Sequence, residues 1–207
     1  MKLEWKKQEK EIYGVKTKPC VIDVPTWKYI TLSGNGNPND EIFSVKVAAL
    51  FSAAYKIKMV YKALAEKSSE ITDYTVYPLE GIWGMASEKE YLVKEELQYR
   101  IMIRQPDFIT REMFNNALKA VQSKKDNPFL TDVSFETLCD GKCIQVLHKG
   151  VFDDEPASFE IMDRYCMEHG YKRMGKEHRE IYLNSAQRTE KANLKTILRY
   201  KITDIGK

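Results

Sequence analysis

Two glutamates interrupt apolar, strand-like runs and are the first residues of this chain that could do chemistry. Glu80 lies in the run YPLEGIW at residues 77–83, and Glu180 lies in the run HREIYL at residues 178–183. A carboxylate among aromatic side chains loses hydration on folding, so it requires hydrogen-bond donors or a cationic or reactive ligand. Both glutamates are therefore candidate catalytic residues.

The alternation of a β-strand predicts which neighbours share a face with each glutamate. His178, Glu180 and Tyr182 fall on one face. Glu80 and Trp83 would face opposite ways in a regular strand, unless a bulge at the glycine between them brings them together. If both carboxylates enter one apolar cleft, their repulsion raises the proton affinity of at least one of them.

A structural role is the alternative for both glutamates. Each carboxylate could instead pair with an arginine of a neighbouring strand, such as Arg199 or Arg100, and then contribute little to function. The residues alone leave the two interpretations open.

Composition excludes several classes of protein. The 207 residues include 33 basic and 30 acidic residues mixed along the chain, for a net charge of +3, without the basic stripe that follows a phosphate backbone. We therefore expect no nucleic-acid partner. The N-terminus lacks the apolar core of a signal peptide, and no run is long enough to span a bilayer. The chain is expected to be cytoplasmic, without a membrane partner, and its oligomeric state does not follow from the sequence.

The cysteines and histidines do not predict a metal site. Cys20, Cys139, Cys143 and Cys166 lack paired C-x-x-C spacing, and the chain has only 3 histidines. We expect reduced, structural thiols and neither a metal nor another cofactor. Asp140-Gly141, between the second and third cysteines, predicts a two-residue hairpin turn.

The elements that must position the glutamates repeat along the chain. After a leader at residues 1–18, the first half (about 27–104) has a strand at 27–32, a helix after Asp40 that continues to Leu64, and strands at about 74–85 and 97–104. A linking helix is predicted at about 110–123. The second half (about 133–203) has the hairpin, a helix that begins near Pro156 and ends at Gly170, a strand that contains Glu180, and a last strand at 194–202.

This order predicts an α+β fold built from two β-α-β-β halves. When the halves are aligned, Glu80 corresponds to Glu180. Two such halves, joined as one domain over residues 19–207, would form a pseudo-twofold unit with a concave antiparallel sheet and helices behind it. A ligand cleft is expected where the halves meet.

Four segments together resemble the GyrI-like family of small-molecule-binding proteins, over about residues 18–203. They are PLEGIW, QVLHKG followed by DDE, HREIYL, and LKTILR. The resemblance implies a duplicated β-α-β-β fold with an aromatic cavity for planar or cationic drugs. A stand-alone branch of the family with similar runs around Glu80 and Glu180 is associated with hydrolysis of cyclopropanoid alkylating toxins. The loop NSAQR at residues 184–188 departs from the Ser-Asp-Pro-Arg-like loop that is usual there.

The resemblance and the residues together suggest a mechanism. Glu180 would act as general base on a water molecule, Glu80 would orient that water or the substrate, and tyrosine hydroxyls such as that of Tyr182 would polarise a carbonyl conjugated to the strained ring. Flat surfaces for a planar or aromatic ligand would come from Trp83, Tyr55, Tyr77 and Tyr182, with His178 beside them. Each of these rings could equally pack in the core or the sheet.

Two other functions fit the same fold. The chain could bind or sequester drugs without chemistry, or it could inhibit a macromolecular target such as a topoisomerase, as the family name suggests. Turnover of a substrate separates the first function from hydrolysis, and capture of a stable partner would support the second.

Overall fold

The computed structural model describes residues 1–65, 69–87, 93–124 and 126–206. The strands are β1 Lys2–Leu3, β2 Cys20–Asn35, β3 Asp73–Tyr74, β4 Leu79–Met85, β5 Leu97–Gln105, β6 Ser134–Lys149, β7 Tyr171–Arg173, β8 His178–Tyr182 and β9 Lys195–Asp204. The α-helices are α1 Trp5–Gln8, α2 Lys10–Tyr13, α3 Glu41–Leu64, α4 Arg111–Gln122 and α5 Glu155–Glu168. Short 3₁₀ helices lie at Lys94–Glu96, Pro128–Asp132, Phe152–Asp154 and Lys191–Asn193. None of the helices in these ranges has the length and apolar character to cross a bilayer.

Six long strands form one antiparallel sheet that curls into a barrel. Their order is β6-β2-β5-β4-β8-β9, β6 also pairs with β9, and β7 adds to β9. The two halves are β2-α3-β4-β5 and β6-α5-β8-β9, so the predicted duplicated α+β fold is confirmed. The halves meet where β4 pairs with β8 and where β2 pairs with β6.

The helices cover the outer face of the curled sheet. Buried alanines at positions 49, 53 and 54 let α3 approach β2 and β5 closely, and the outward side chains of Ile30, Ile101 and Ile103 pack in the same core cluster. In the second half, Met162 and Cys166 of α5 pack on Ile144 and Leu198. The inner face carries alternate residues such as Tyr29, Met102 and Arg179.

The N-terminal segment, predicted as a leader, packs into one end of the barrel. Trp5 and Tyr13 are buried, and the backbone N–H of Leu147 in β6 donates to the carbonyl of Lys16. Glu9 forms an ion pair with the inward-facing Arg104 of β5. The guanidinium of Arg104 also lies 3.6 Å from the ring centre of Trp27 and 4.8 Å from that of Tyr77, in a sandwich of aromatic faces. Burial of Arg104 therefore depends on the segment that precedes β2.

The predicted hairpin at Asp140-Gly141 is wrong, because β6 is one continuous strand. β2 begins at Cys20 rather than at residue 27, so it offers a partner to residues 134–145 of β6, on both sides of Asp140-Gly141, with Val24 opposite Gly141 and Thr26 opposite Cys139. Gly141 has a φ of +66°, a conformation that glycine adopts without strain inside a strand. Asp140 accepts a hydrogen bond from Arg179 instead of closing a turn.

A buried ion pair joins the two halves inside the barrel. Arg179 of β8 donates to Glu80 of β4 at 2.9 Å, to the hydroxyl of Tyr29 at 2.9 Å and to Asp140 at 3.0 Å. Burial raises the pKa of the Glu80 carboxyl, and the charges of Arg179 and Arg199 oppose that rise. Glu80 thus has a structural role, which the sequence left open as an alternative, and its partner is Arg179.

Glu80→Gln should lower the free energy of unfolding by about 3 kcal/mol, because it removes one partner of a buried ion pair. The exposed Glu160→Gln in α5 is the matched control and should change it by less than about 0.5 kcal/mol. Urea unfolding followed by circular dichroism measures both values. Equal stability of the two variants would contradict the role of the pair.

Candidate functional site

The register of β4 with β8 assembles a cluster on the outer face of the sheet. Trp83 lies opposite His178, and Gly81 lies opposite Glu180. Since residues opposite each other share a face, His178, Glu180 and Tyr182 point outward together with Trp83, as the alternation of β8 predicts. We call Glu180, His178, Tyr182, Trp83 and Glu155 the outer carboxylate cluster.

Gly81 makes room for the indole of Trp83. The tryptophan side chain folds back over its own strand, and a Cβ atom on residue 81 would lie 2.5 Å from the indole Nε1. A larger residue at position 81 would displace the ring. The glycine thus permits this orientation of Trp83, without the bulge that the sequence allowed, because the pairing of β4 with both neighbours is regular from Glu80 to Trp83.

Two hydrogen bonds hold the Glu180 carboxylate. His178 Nε2 lies 2.9 Å from Oε1, and the Tyr182 hydroxyl donates to Oε2 at 2.8 Å. Trp83 Nε1 donates in turn to the Tyr182 hydroxyl at 2.9 Å. A carboxylate only accepts hydrogen bonds, so His178 carries its proton on Nε2. The rotamer of Glu180 is thereby fixed from both sides.

A second carboxylate, Glu155 at the start of α5, lies beside Glu180. Its side chain is 6% exposed, and its Oε1 has no hydrogen-bond partner. Burial raises the pKa of Glu155 to about 9, with further contributions from the charges of Glu180 and Asp153. At neutral pH Glu155 therefore keeps its proton. The sequence predicted a raised proton affinity from repulsion between Glu80 and Glu180, but those side chains face opposite sides of the sheet, and the carboxyl group beside Glu180 is that of Glu155, which the sequence indicates only as part of a helix start.

The same side chains have the spacing that a metal site needs. One ligand atom from each of Glu155, His178 and Glu180 lies within 4.8 Å of the others. A cation there would have to displace the proton that His178 shares with Glu180. Hydrogen bonds to Glu180 and the raised pKa of Glu155 compensate the negative charge of the cluster.

Aromatic rings enclose the outer carboxylate cluster. Trp83 packs against Phe43 of α3 and Tyr99 of β5, with ring centres 5.7 Å and 5.3 Å apart. Phe152 meets Tyr182 edge-on at 5.9 Å, and Phe159 of α5 meets His178 edge-on at 4.8 Å. The cluster therefore lies between the first turns of α3 and α5 and is bordered by both halves of the fold.

Glu80 does not join Glu180, so the prediction that the two glutamates converge on one cleft is wrong. Glu80 is opposite Ile181 and points into the barrel, whereas Glu180 points outward. Corresponding positions in the two halves thus face opposite sides of the sheet. The carboxylate that approaches Glu180 is Glu155, from a different element of the second half.

Tyr77 and Tyr55 lie away from the cluster. Tyr77 is buried with Trp5 and Tyr13, and its hydroxyl donates to Glu9. Tyr55 is 55% exposed on α3, where its ring is near Phe51. Of the rings predicted to bind ligand, the structure brings Trp83 and Tyr182 to Glu180.

Comparisons with known proteins identify the family of this chain. The family model of the GyrI-like small molecule binding domain matches residues 17–201. An uncharacterized conserved protein from Listeria innocua is 30% identical, with a TM-score of 0.88 over 97% of this chain and 100% of the other. Two structures described as hydrolases from Listeria innocua are 29% identical, with TM-scores of 0.87 and 0.85 over 98% and 97% of this chain and 100% of theirs. The comparison with curated proteins gave no match. The chain belongs to the GyrI-like family of small-molecule-binding domains.

Proposed function

We propose that this protein is a hydrolase that opens cyclopropanoid alkylating compounds, with Glu180 as the general base. The observation that carries the proposal is the environment of Glu180, which accepts hydrogen bonds from His178 and Tyr182 and lies beside the buried Glu155. The two Listeria innocua proteins described as hydrolases match nearly the full chain and support the reaction class. The substrate class follows from the resemblance of the segments around Glu80 and Glu180.

The reaction adds water across one bond of the strained ring. Glu180 takes a proton from the water, and the water oxygen attacks a methylene carbon of the cyclopropane. The carbon–carbon bond that breaks gives its electron pair to the conjugated dienone, whose carbonyl oxygen becomes a phenolate and takes a proton from solvent. The product is a ring-opened alcohol that can no longer alkylate.

Tyr182 and His178 act as positioning residues in this mechanism. The hydroxyl proton of Tyr182 is already donated to Glu180, so this tyrosine orients the base and is not free to polarise the carbonyl. Glu155, whose pKa burial raises to about 9, is the second carboxyl group beside this base. Glu80 has a structural role inside the barrel and no contact with the reacting atoms.

The aromatic border of the cluster suits a planar substrate. Trp83 packs against Phe43 and Tyr99 and donates to Tyr182, which binds Glu180, and aromatic rings of this kind bind flat conjugated ligands. A binding protein without chemistry would use the same rings. It would bind the intact compound and release it unchanged.

Glu180→Gln should lower the rate of ring opening by about 10²- to 10⁴-fold, because an amide cannot accept the proton from water. Incubation with a spirocyclopropyl dienone, followed by mass spectrometry of the hydrated product, measures the rate. Tyr182→Phe should reduce it less, by about tenfold, since it leaves the base in place. Glu160→Gln, on the exposed side of α5, is the control. Undiminished turnover by Glu180→Gln would remove Glu180 from the reaction, and binding without product in the unmodified protein would indicate a sequestering function.

Glu155→Gln should stabilise the protein relative to wild type as the pH rises. The folded-state pKa of Glu155, about 9, exceeds its ordinary value of 4.5, so the folded state keeps a proton that the unfolded state has lost. Wild-type stability therefore falls between these values, by up to about 1.4 kcal/mol per pH unit for one proton. Glutamine has no proton to lose. Urea unfolding at pH 5, 7 and 9 measures the difference between the variants. A difference that stays constant over this range would contradict the raised pKa.

A further inference from the structure

Glu155 and Glu180 are neighbouring carboxylates without a cationic side chain to neutralise them. They are 6% and 8% exposed, and no lysine or arginine in the described part of the chain forms an ion pair with either of them. Glu80 offers the contrast within the same protein, because it is equally buried and has Arg179 as its partner. Buried carboxylates are ordinarily paired with a cation or coordinate a metal ion.

The carboxylate of Glu155 is aimed at the other members of the cluster. One of its oxygens lies within 4.8 Å of a ring nitrogen of His178 and of a Glu180 oxygen. Its Oε1 is buried and accepts no hydrogen bond from the described residues. A buried acceptor without a donor costs free energy, and a cation bound at its centre would recover that cost.

An ion can enter this set from the side of His178. The side chains of His178 and Glu180 are 21% and 11% exposed, so two of the three ligands are in contact with solvent. Glu155 is the first residue of α5, directly after the 3₁₀ turn at Phe152–Asp154. No hydrogen bond holds its Oε1, which leaves the carboxylate free to turn toward an ion between the three side chains.

The donor set is one imidazole nitrogen and two carboxylate oxygens. Three protein ligands of these types, with a position left open for water, are typical of zinc sites in enzymes. Bonds of about 2.0–2.1 Å in a tetrahedral zinc site place the ligand atoms about 3.3 Å apart, so the cluster needs only a small contraction. His178 becomes a ligand when its proton moves from Nε2 to Nδ1. Mg²⁺ prefers oxygen ligands in an octahedral arrangement, so the imidazole disfavours it.

We propose that Glu155, His178 and Glu180 form a binding site for a divalent transition-metal ion, with Zn²⁺ preferred over Mg²⁺. Spacing along the chain does not reveal this set, because Glu155 belongs to α5 and the other two ligands belong to β8. The site does not require that Glu180 act as a base on water, so it can exist with or without the proposed hydrolysis.

Titration of the protein with metal alone tests the site. After treatment with EDTA and desalting, calorimetry should show one Zn²⁺ bound per chain, at least about tenfold more tightly than Mg²⁺. No binding of Zn²⁺, or equal affinity for the two ions, would overturn the proposal.

Variants identify the ligands. Glu155→Gln should weaken Zn²⁺ binding by at least about tenfold, since loss of even an outer partner of a metal ligand costs about 10- to 100-fold. Glutamine has nearly the shape of a protonated glutamate, so this variant should fold, and circular dichroism checks that it does. The matched controls are Glu160→Gln and His169→Gln, which alter exposed residues of the same types in and just after α5. If Glu155→Gln does not fold, His178→Gln decides the matter. Unchanged affinity in the folded variant would overturn the proposal.

The exposed thiols of Cys20 and Cys139 are the other groups that could hold zinc. The double variant Cys20→Ser and Cys139→Ser should therefore keep the affinity for Zn²⁺. Co²⁺ bound in place of Zn²⁺ should give visible absorption bands without the near-ultraviolet charge-transfer band of a cobalt thiolate. Loss of binding in the double variant, or a thiolate band, would place the metal at the cysteines and overturn the proposal.

Occupation of the site has a consequence for ring opening. Glu180 Oε2 already accepts a hydrogen bond from Tyr182, and a metal ion on Oε1 would engage the remaining oxygen. Since a coordinated Glu180 cannot take a proton from water, saturating Zn²⁺ should suppress ring opening and excess EDTA should restore it. Turnover that saturating Zn²⁺ leaves unchanged would contradict coordination by Glu180. Failure of Zn²⁺ to bind would leave the hydrolysis untouched, and absence of hydrolysis would leave the titrations valid.

Discussion

The buried ion pair between Glu80 and Arg179 is the interaction on which the arrangement of this protein depends. It links β4 of the first half to β8 of the second, and Tyr29 and Asp140 supply the further hydrogen bonds that a buried guanidinium requires. A shift of β8 by one residue would turn every side chain of the strand to the other face. Such a shift would place Glu180 in the barrel and Arg179 among the aromatic rings. The ion pair therefore fixes the register that puts Glu180 beside Trp83.

The two faces of β8 have different electrostatic environments. On the outer face, carboxylates are in excess, and a proton on Glu155 together with donors from His178 and Tyr182 compensates them. On the inner face, Arg179 forms ion pairs with Glu80 and Asp140. A single sheet layer separates these environments.

The spacing of residues along the sequence predicts those features of the fold that depend only on neighbours along the chain. The alternation of β8, the two β-α-β-β halves and the helix that follows Asp40 and ends at Leu64 all follow from residue spacing, and the structure has them. The hairpin at Asp140-Gly141 does not form, because the turn preference of two residues is weaker than continuous pairing with β2. Glu155 was not recognised as a site residue, because its approach to Glu180 depends on how α5 packs on the sheet. Tyr55 and Tyr77 have the right chemical type, but their positions in the fold separate them from Glu180.

The N-terminal segment determines where this domain can be truncated. The family model begins at residue 17, yet Glu9 neutralises Arg104 inside the barrel, and Trp5 and Tyr13 fill its end. A recombinant fragment cut at the family boundary would leave a bare guanidinium between two aromatic rings and an open hole in the hydrophobic interior.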